Sequence, residues 1–267
     1  LKEGNWNKAA TAITTTDTFP KGASEVALIR NKKIQITGIA KGSGMIAPDM
    51  ATMLSFIFTD ANIPSNILQT LLSRNVQNTF NAITVDSDAS TSDTVLLFAT
   101  GAAKSIAPTS ADDPVLKDFE LALQSVMLSL AKQIVCDGEG AQKLIQVNVT
   151  GANSKKSARK IGLAIANSPL VKTAIAGGDA NWGRVVMAVG KSGEKANPDK
   201  ISVCFGKTTI AEKGAVVEGY DEAPVTEHLQ GREIHITVDV GLGNGKSTVW
   251  TCDLTHGYIE INADYRS

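Results

Sequence analysis

The sequence predicts a layered fold of the α/β or α+β class, built on mostly antiparallel sheet. Three observations predict it. β-rich runs open and close the chain, amphipathic helical stripes fill the middle, and short turns join the strand runs. With 267 residues, 43% of them hydrophobic, the chain can bury a substantial core. No internal repeat, low-complexity segment or linker divides it.

The first element is a hairpin. EVALIRNKKIQITGIAKG (25–42) holds two β-rich runs around an Arg-Asn-Lys-Lys turn. It leads into KGSGMIAPDMATML (41–54) and an apolar strand. In IPSNILQTLLSRNVQNTFNAI (63–83), Ile67, Leu68, Leu71, Leu72, Val76, Phe80 and Ile83 recur at helical spacing and predict one amphipathic helix. The next helix has a clear start. Asp112 and Asp113 offer an N-cap and Pro114 suits the first helical position; Leu116, Phe119, Leu123, Val126, Leu130 and Ile134 then form its apolar stripe, which ends near Cys136.

KLIQVNVTG (143–151) alternates as a strand, and SKKSARKIGLAIAN (154–167) reads as a helix. Pro169 starts a shorter helix that runs to Gly177 and Gly178, and NWGRVVMAVG (181–190) predicts another, closed by Gly190. The last third is β: KISVCFG (200–206), then EIHITVDV (233–240) and STVWTCDLT (247–255), read as a pair joined by a glycine-rich hairpin turn, GLGNGK. Ile234, Ile236, Val238 and Val240 share one face of the first of these, which leaves His235, Thr237 and Asp239 on the other.

Charge excludes one class of partner. Twenty-six basic and 27 acidic residues give a formal net charge of -1, which is no footprint for nucleic acid. The basic run NSKKSARK (153–160) reads as the solvated start of its helix. Cys136, Cys204 and Cys252 form no CxxC, so neither a zinc site nor a disulfide framework is signalled, and a reducing, cytoplasmic setting is expected. The apolar run TVLLFATGAA (94–103) is too short to cross a bilayer, and the first 17 residues lack the apolar centre of a signal peptide, so no membrane partner is expected. A chain that starts at Leu1 rather than Met leads us to expect an upstream segment.

Several motifs fail on spacing. GLGNGKST lacks the glycine of a P-loop, since Val240 stands five positions before Gly245. TVDSDASTSDT (84–94) carries Asp86, Asp88 and Asp93 like half a calcium loop, but its sixth and twelfth positions hold Thr91 and Leu97 in place of Gly and Glu. No metal is expected there. The same side chains can satisfy backbone groups around a turn or line a pocket. His228 in a polar loop, His235 on a strand and His256 near the end make no triad by spacing, and there is no GxSxG elbow.

The loop at 41–54 has three readings. It can cradle a phosphate, although KGSG followed by Pro48 is a poor match; it can be a turn before a strand; or it can present Thr52 as a nucleophile. A threonine hydroxyl needs a base beside it. An N-terminal threonine supplies one in its own α-amine, which titrates at about 7.7–8.0. Thr52 must then be freed from Ala51, whose small side chain lets the hydroxyl approach the Ala51 carbonyl while the glycines and Pro48 hold the backbone.

TTTDTFPK (14–21), KGSGMIAPDMATML, TVDSDASTSDT, DGEGA (137–141), GDANWGR (178–184) and EINADYRS (260–267) together resemble the ornithine acetyltransferases, also called glutamate N-acetyltransferases, of arginine biosynthesis. The resemblance runs the length of the chain. It implies an N-terminal-nucleophile-like acetyltransferase fold and a precursor that cuts itself between Ala51 and Thr52. Residues 1–51 would then end the α-chain and 52–267 would form the β-chain, with Thr52 as its nucleophile. It implies substrate contacts from Thr15, Lys41, Thr52, Glu139, Asn262 and Ser267, with Thr16 as the alternative to Thr15 because three threonines stand in a row.

The implied substrates are N-acetylornithine and glutamate, with acetyl-coenzyme A as a possible second acetyl donor and no metal or bound cofactor. The implied partner is the upstream α-chain segment, in a heterotetramer of two α and two β chains. The family's oxyanion hole is a Thr-Gly pair upstream of anything matched here, so the chain reads as the C-terminal two-thirds of the precursor. Two other functions stay open: an N-terminal-nucleophile amidohydrolase or aminopeptidase on the same fold, and a non-catalytic glycine-loop binding protein.

Overall fold

Burial alternates on both sides of the turn, at 27–29 and 34–38, in the expected hairpin, which is the first sheet pair in a computed structural model that describes residues 5–47, 53–89 and 91–264. The chain forms two units, Leu1–Ile83 with Ser87–Asp137, and Thr84–Asp86 with Gly138–Ser267. This is a spatial division, separate from the expected backbone break at Ala51.

In the first unit, helix α1 (Trp6–Ala12) precedes strands β1 (Lys21–Ile29), β2 (Lys32–Lys41) and β3 (Leu54–Thr59). Helix α2 (Ser65–Val76), strand β4 (Thr94–Ala99) and helix α3 (Lys117–Cys136) follow. The sheet order is β1-β2-β3-β4, antiparallel except for the parallel β3–β4 pair, which α2 connects. Helix α3 covers one face of β1 and β2. It buries Phe119, Leu123, Val126, Leu130 and Ile134 against a sheet core that includes Ile34, Ile36 and Ile57. A 3-10 turn, Pro114–Leu116, leads into α3 and carries the expected cap, with Asp113 Oδ1 accepting from the Val115 N–H at 3.1 Å.

The segment Pro114–Cys136 is long and apolar enough in composition to cross a membrane, unlike the 94–103 run, which is mainly β4. The burial of its apolar stripe makes it the core helix of this unit. On the opposite sheet face Phe58 and Phe98 stack with centroids 5.0 Å apart.

The single helix expected over 67–83 is instead two pieces. Helix α2 stops at Val76, and a 3-10 turn, Phe80–Ala82, follows. The cause is competition for carbonyls by two buried polar side chains: Asn75 Nδ2 donates to Leu71 O at 2.9 Å and Thr79 Oγ1 to Asn75 O at 2.8 Å. Phe80 and Ile83 are still buried, as their apolar character requires.

The second unit contains strand β5 (Leu144–Ala152), helices α4 (Lys155–Ala166), α5 (Pro169–Ala176) and α6 (Trp182–Lys191), then strands β6 (Ser202–Phe205), β7 (Thr208–Glu212) and β8 (Ala215–Val216). Helix α7 (Ala223–Gln230), strands β9 (Glu233–Asp239) and β10 (Gly245–Cys252), and helix α8 (His256–Asp264) complete it. The sheet order is β10-β5-β9-β6-β7-β8. Ser154 and Ser168 cap α4 and α5, and Lys143 Nζ donates to Ile175 O and Leu229 O, each at 2.8 Å, where α5 and α7 end. The core joins Val147, Val149, Ile161, Ile165, Val203, Ile234, Ile236, Val238 and Val249.

Three expectations are corrected here. Strands β9 and β10 are not a hairpin, because β5 lies between them, parallel to β9 and antiparallel to β10. GLGNGK therefore arches over the end of β5, where Leu242 and Gly243 donate to Gly151 O at 2.7 and 2.8 Å. Its glycines serve a close backbone approach: a Cβ on Gly245 would stand 2.3 Å from Ser154 O. His228 lies in α7 rather than in a loop. Helix α6 runs through Gly190 to Lys191, and the left-handed residue beyond it is Gly193, at φ 71°.

Gly38 is the point where α3 seats on β2. A Cβ there would meet Leu130 Cδ1 at 2.8 Å, with Ile57 and Val126 at 3.2 and 3.3 Å. Gly38→Ala is expected to cost about 1–3 kcal/mol as an overpacked core position, measured by chemical denaturation against wild type.

Candidate functional site

Strand β2 ends at Lys41, so the strand itself places the lysine where the glycine loop begins. Lys41 is 9% exposed, and its Nζ donates to Thr15 Oγ1 at 3.2 Å. Among the described residues its ammonium forms no ion pair. A cation so placed favours an anionic ligand, since burying a charge without a partner is costly. Gly42 takes φ 142°, open to glycine and not to other residues, and turns the chain after Lys41. The two candidate threonines separate here: Thr15 meets Lys41, whereas Thr16 Oγ1 shares a 2.7 Å hydrogen bond with Ser43 Oγ.

Ala51, Thr52 and Ser267 lie outside the described residues. The next residue, Met53, is held on both sides of its peptide. Its N–H donates to Asp93 Oδ1 at 2.7 Å, and its carbonyl accepts from the Thr94 N–H at 3.0 Å. Asp93 belongs to the Asp/Ser/Thr-rich stretch read from the sequence as satisfying backbone groups, and at this position it does so. A cavity of about 220 Å³ opens beside it, lined by Met53, Gln69, Phe80, Asn81, Asp93 and Thr94.

In the second unit Glu139 follows the end of the long helix by three residues, and Asn262 lies in the last turn of α8. Asn262 Nδ2 donates to Glu139 Oε2 at 2.7 Å and to Tyr258 O at 3.0 Å. Helix α8 carries this end of the chain as far as Asp264. What attaches the helix is a glycine contact: Gly140 takes φ 71°, and a Cβ there would fall 2.4 Å from Tyr258 N and 2.6 Å from Gly257 C. Thr255 Oγ1 adds a 2.7 Å bond to Gly140 O. The structure thus pairs Thr15 with Lys41 in one unit and Glu139 with Asn262 in the other.

Other nucleophile and base candidates are engaged elsewhere. Burial pushes the Cys252 thiol up to about 11 despite Lys172 nearby, so it stays protonated at neutral pH. Burial, with the neighbouring His235, holds His228 below the usual imidazole value, and its Nε2 accepts from the His235 N–H at 2.9 Å. Among the described residues no group of three His, Cys, Asp or Glu could hold a metal ion.

The family model of the ArgJ family matches residues 1–267. The chain belongs to the ArgJ family. Among its relatives is the arginine biosynthesis bifunctional protein ArgJ of Gluconobacter oxydans, 60% identical over all of this chain and 63% of the relative. That of Brucella suis is 58% identical over 99% of this chain and 65% of the relative. The chain thus spans less than two-thirds of these curated relatives. The crystal structure of arginine biosynthesis bifunctional protein ArgJ from Bacillus halodurans superposes with a TM-score of 0.74 at 43% identity, covering 77% of this chain and 96% of that one. The expected fold class is therefore the observed one, a mixed α/β architecture shared with an ArgJ-family structure.

Sequence reasoning missed the groups behind the first pair. Lys21, Asp17 and Asp137 form a buried ion cluster. Their signal was present, because Asp17 and Lys21 stand in TTTDTFPK and Asp137 opens DGEGA, but nothing in the sequence marks Lys21 as buried.

Gly140→Ala is expected to loosen α8, because a left-handed alanine costs about 1–2 kcal/mol before any clash is counted. Amide exchange over 256–264 should rise about tenfold or more relative to wild type; unchanged exchange would show that the glycine contact does not hold the helix.

Proposed function

We propose that this chain is the larger part of an acetyltransferase of arginine biosynthesis that moves an acetyl group from N-acetylornithine to glutamate through an acetyl ester on Thr52. Family membership supports the reading. The observation that carries it is Lys41, nearly buried, without an anionic partner among the described residues and eleven positions before Thr52 in the chain. Lys41 and Thr15 would take a substrate carboxylate, and Glu139 with Asn262 a substrate ammonium. Ser267 is proposed as a further contact on the resemblance alone.

The chemistry balances without a cofactor. In maturation Thr52 Oγ attacks the Ala51 carbonyl carbon, the peptide C–N bond breaks, and water hydrolyses the resulting ester to leave Thr52 with a free α-amine. In turnover that amine takes the hydroxyl proton as Oγ attacks the acetyl carbonyl. The amide C–N bond of N-acetylornithine breaks, and the proton leaves on the ornithine amine. The glutamate amine then attacks the ester, and Thr52 Oγ recovers a proton as N-acetylglutamate departs. Acetyl-coenzyme A would enter at the first step as an alternative donor. The upstream α-chain and a heterotetramer of two α and two β chains belong to the same proposal.

Intact mass of the freshly expressed complete precursor tests the reading. Wild type should appear as two fragments divided before Thr52, and Thr52→Ala as one uncut chain. Incubation with N-acetylornithine should add one acetyl group to the fragment that begins at Thr52. Equal cleavage of the alanine variant would sink the nucleophile assignment; ornithine release with no adduct and no need for glutamate would favour the amidohydrolase.

A further inference from the structure

Behind the Thr15–Lys41 pair lies a cluster of charges that touches no solvent. Lys21, on β1, is 0% exposed, and its Nζ stands 2.6 Å from Asp17 Oδ1 and 2.5 Å from Asp137 Oδ2. Those carboxylates are 0% and 1% exposed. Thr18 closes the far side, its N–H donating to Asp137 Oδ2 at 3.0 Å and its hydroxyl to Asp137 Oδ1.

Asp17 does more than neutralise Lys21. Its Oδ1 also accepts the Gly42 N–H at 2.7 Å, and its Oδ2 accepts the Thr15 N–H at 3.1 Å. Thr15 carries the hydroxyl that Lys41 touches, and Gly42 is the residue after Lys41. One carboxylate therefore grips the backbone on both sides of the pair. We propose that Asp17, anchored by Lys21 and Asp137, is a positioning residue that fixes Thr15 and Lys41 in the geometry that receives a carboxylate of the amino-acid substrate. This rests on the reading of Thr15 and Lys41 as substrate contacts.

The donor set argues for a fixed geometry over simple filling of space. A buried ion cluster is weak evidence of stability, because apolar residues of the same volume often serve as well. Here, though, the anion also satisfies two backbone donors that no apolar side chain could satisfy. An asparagine offers one acceptor oxygen in place of two, so it can keep the Gly42 bond or the Thr15 bond but not both. Burial alone would raise the Asp17 carboxyl, yet the bonds from Lys21, Gly42 and Thr15 together hold it below the ordinary value.

A double-mutant cycle on the complete precursor-derived enzyme tests the proposal, with KM and kcat measured for N-acetylornithine and for glutamate. Asp17→Asn should raise the KM of at least one substrate roughly 10- to 100-fold while lowering kcat less, the scale expected of a displaced contact. On a Lys41→Ala background the same substitution should add no more than about twofold, because both act through one pair. Independent, multiplying effects would overturn the proposal and leave the cluster a purely structural role. If Lys41→Ala alone leaves both KM values unchanged, the substrate-contact reading itself is wrong and the proposal falls with it. Should Asp17→Asn not fold, Asp17→Glu keeps the charge against Lys21 and displaces the carboxylate from the two amides. It should show the same non-additivity, and additivity there would overturn the proposal equally.

Discussion

A wholly buried ammonium cannot stand without anions around it, and in the first unit that constraint falls on Lys21. Its two carboxylates come from distant places in the chain, Asp17 ahead of the first strand and Asp137 at the end of the core helix. The charge thus ties the N-terminal segment, β1 and the end of α3 into one arrangement. Removing the lysine would leave two buried carboxylates without their cation, a larger penalty than the pair's own net worth.

The same anion logic orders the neighbouring loops. Asp17 accepts backbone N–H groups from residues 15 and 42, and Asp93 accepts that of Met53. Each aspartate satisfies a donor that an irregular segment cannot pair within a ladder. Glycine governs the second unit's counterpart: at Gly140 and Gly257 two backbones meet with no room for a side chain. Charge in one unit and absence of side chains in the other position the groups that resemble substrate contacts.

Local chemistry was legible in the sequence. The 25–42 hairpin and the helix starts at Asp113–Pro114 and at Pro169 all follow from residues within a few positions of each other. Non-local pairing was not. GLGNGK has the composition of a hairpin turn whether it joins neighbouring strands or arches over a third, and only the insertion of β5 decides. The break after Val76 was hidden because Asn75 and Thr79 look like ordinary polar positions until burial turns them against the helix backbone. For the candidate site, composition marked the loop at 41–54 but left it open between a phosphate cradle, a turn and a presented nucleophile, and the resemblance supplied Thr15, Lys41, Glu139 and Asn262 as candidate contacts. Lys21 escaped because lysine is ordinarily a surface residue, and its burial depends on two aspartates that the fold brings to it.

Strand β3 begins two residues after Thr52 and lies inside its sheet, bonded to β2 on one side and β4 on the other. A chain end is ordinarily the loosest part of a protein. An end made by cutting before Thr52 would differ, because the residues behind it are stitched along both edges and cannot peel away. Breaking the backbone there would free the amine chemically while leaving its attachment stiff, so a reactive terminus and a rigid scaffold would be the same stretch of chain.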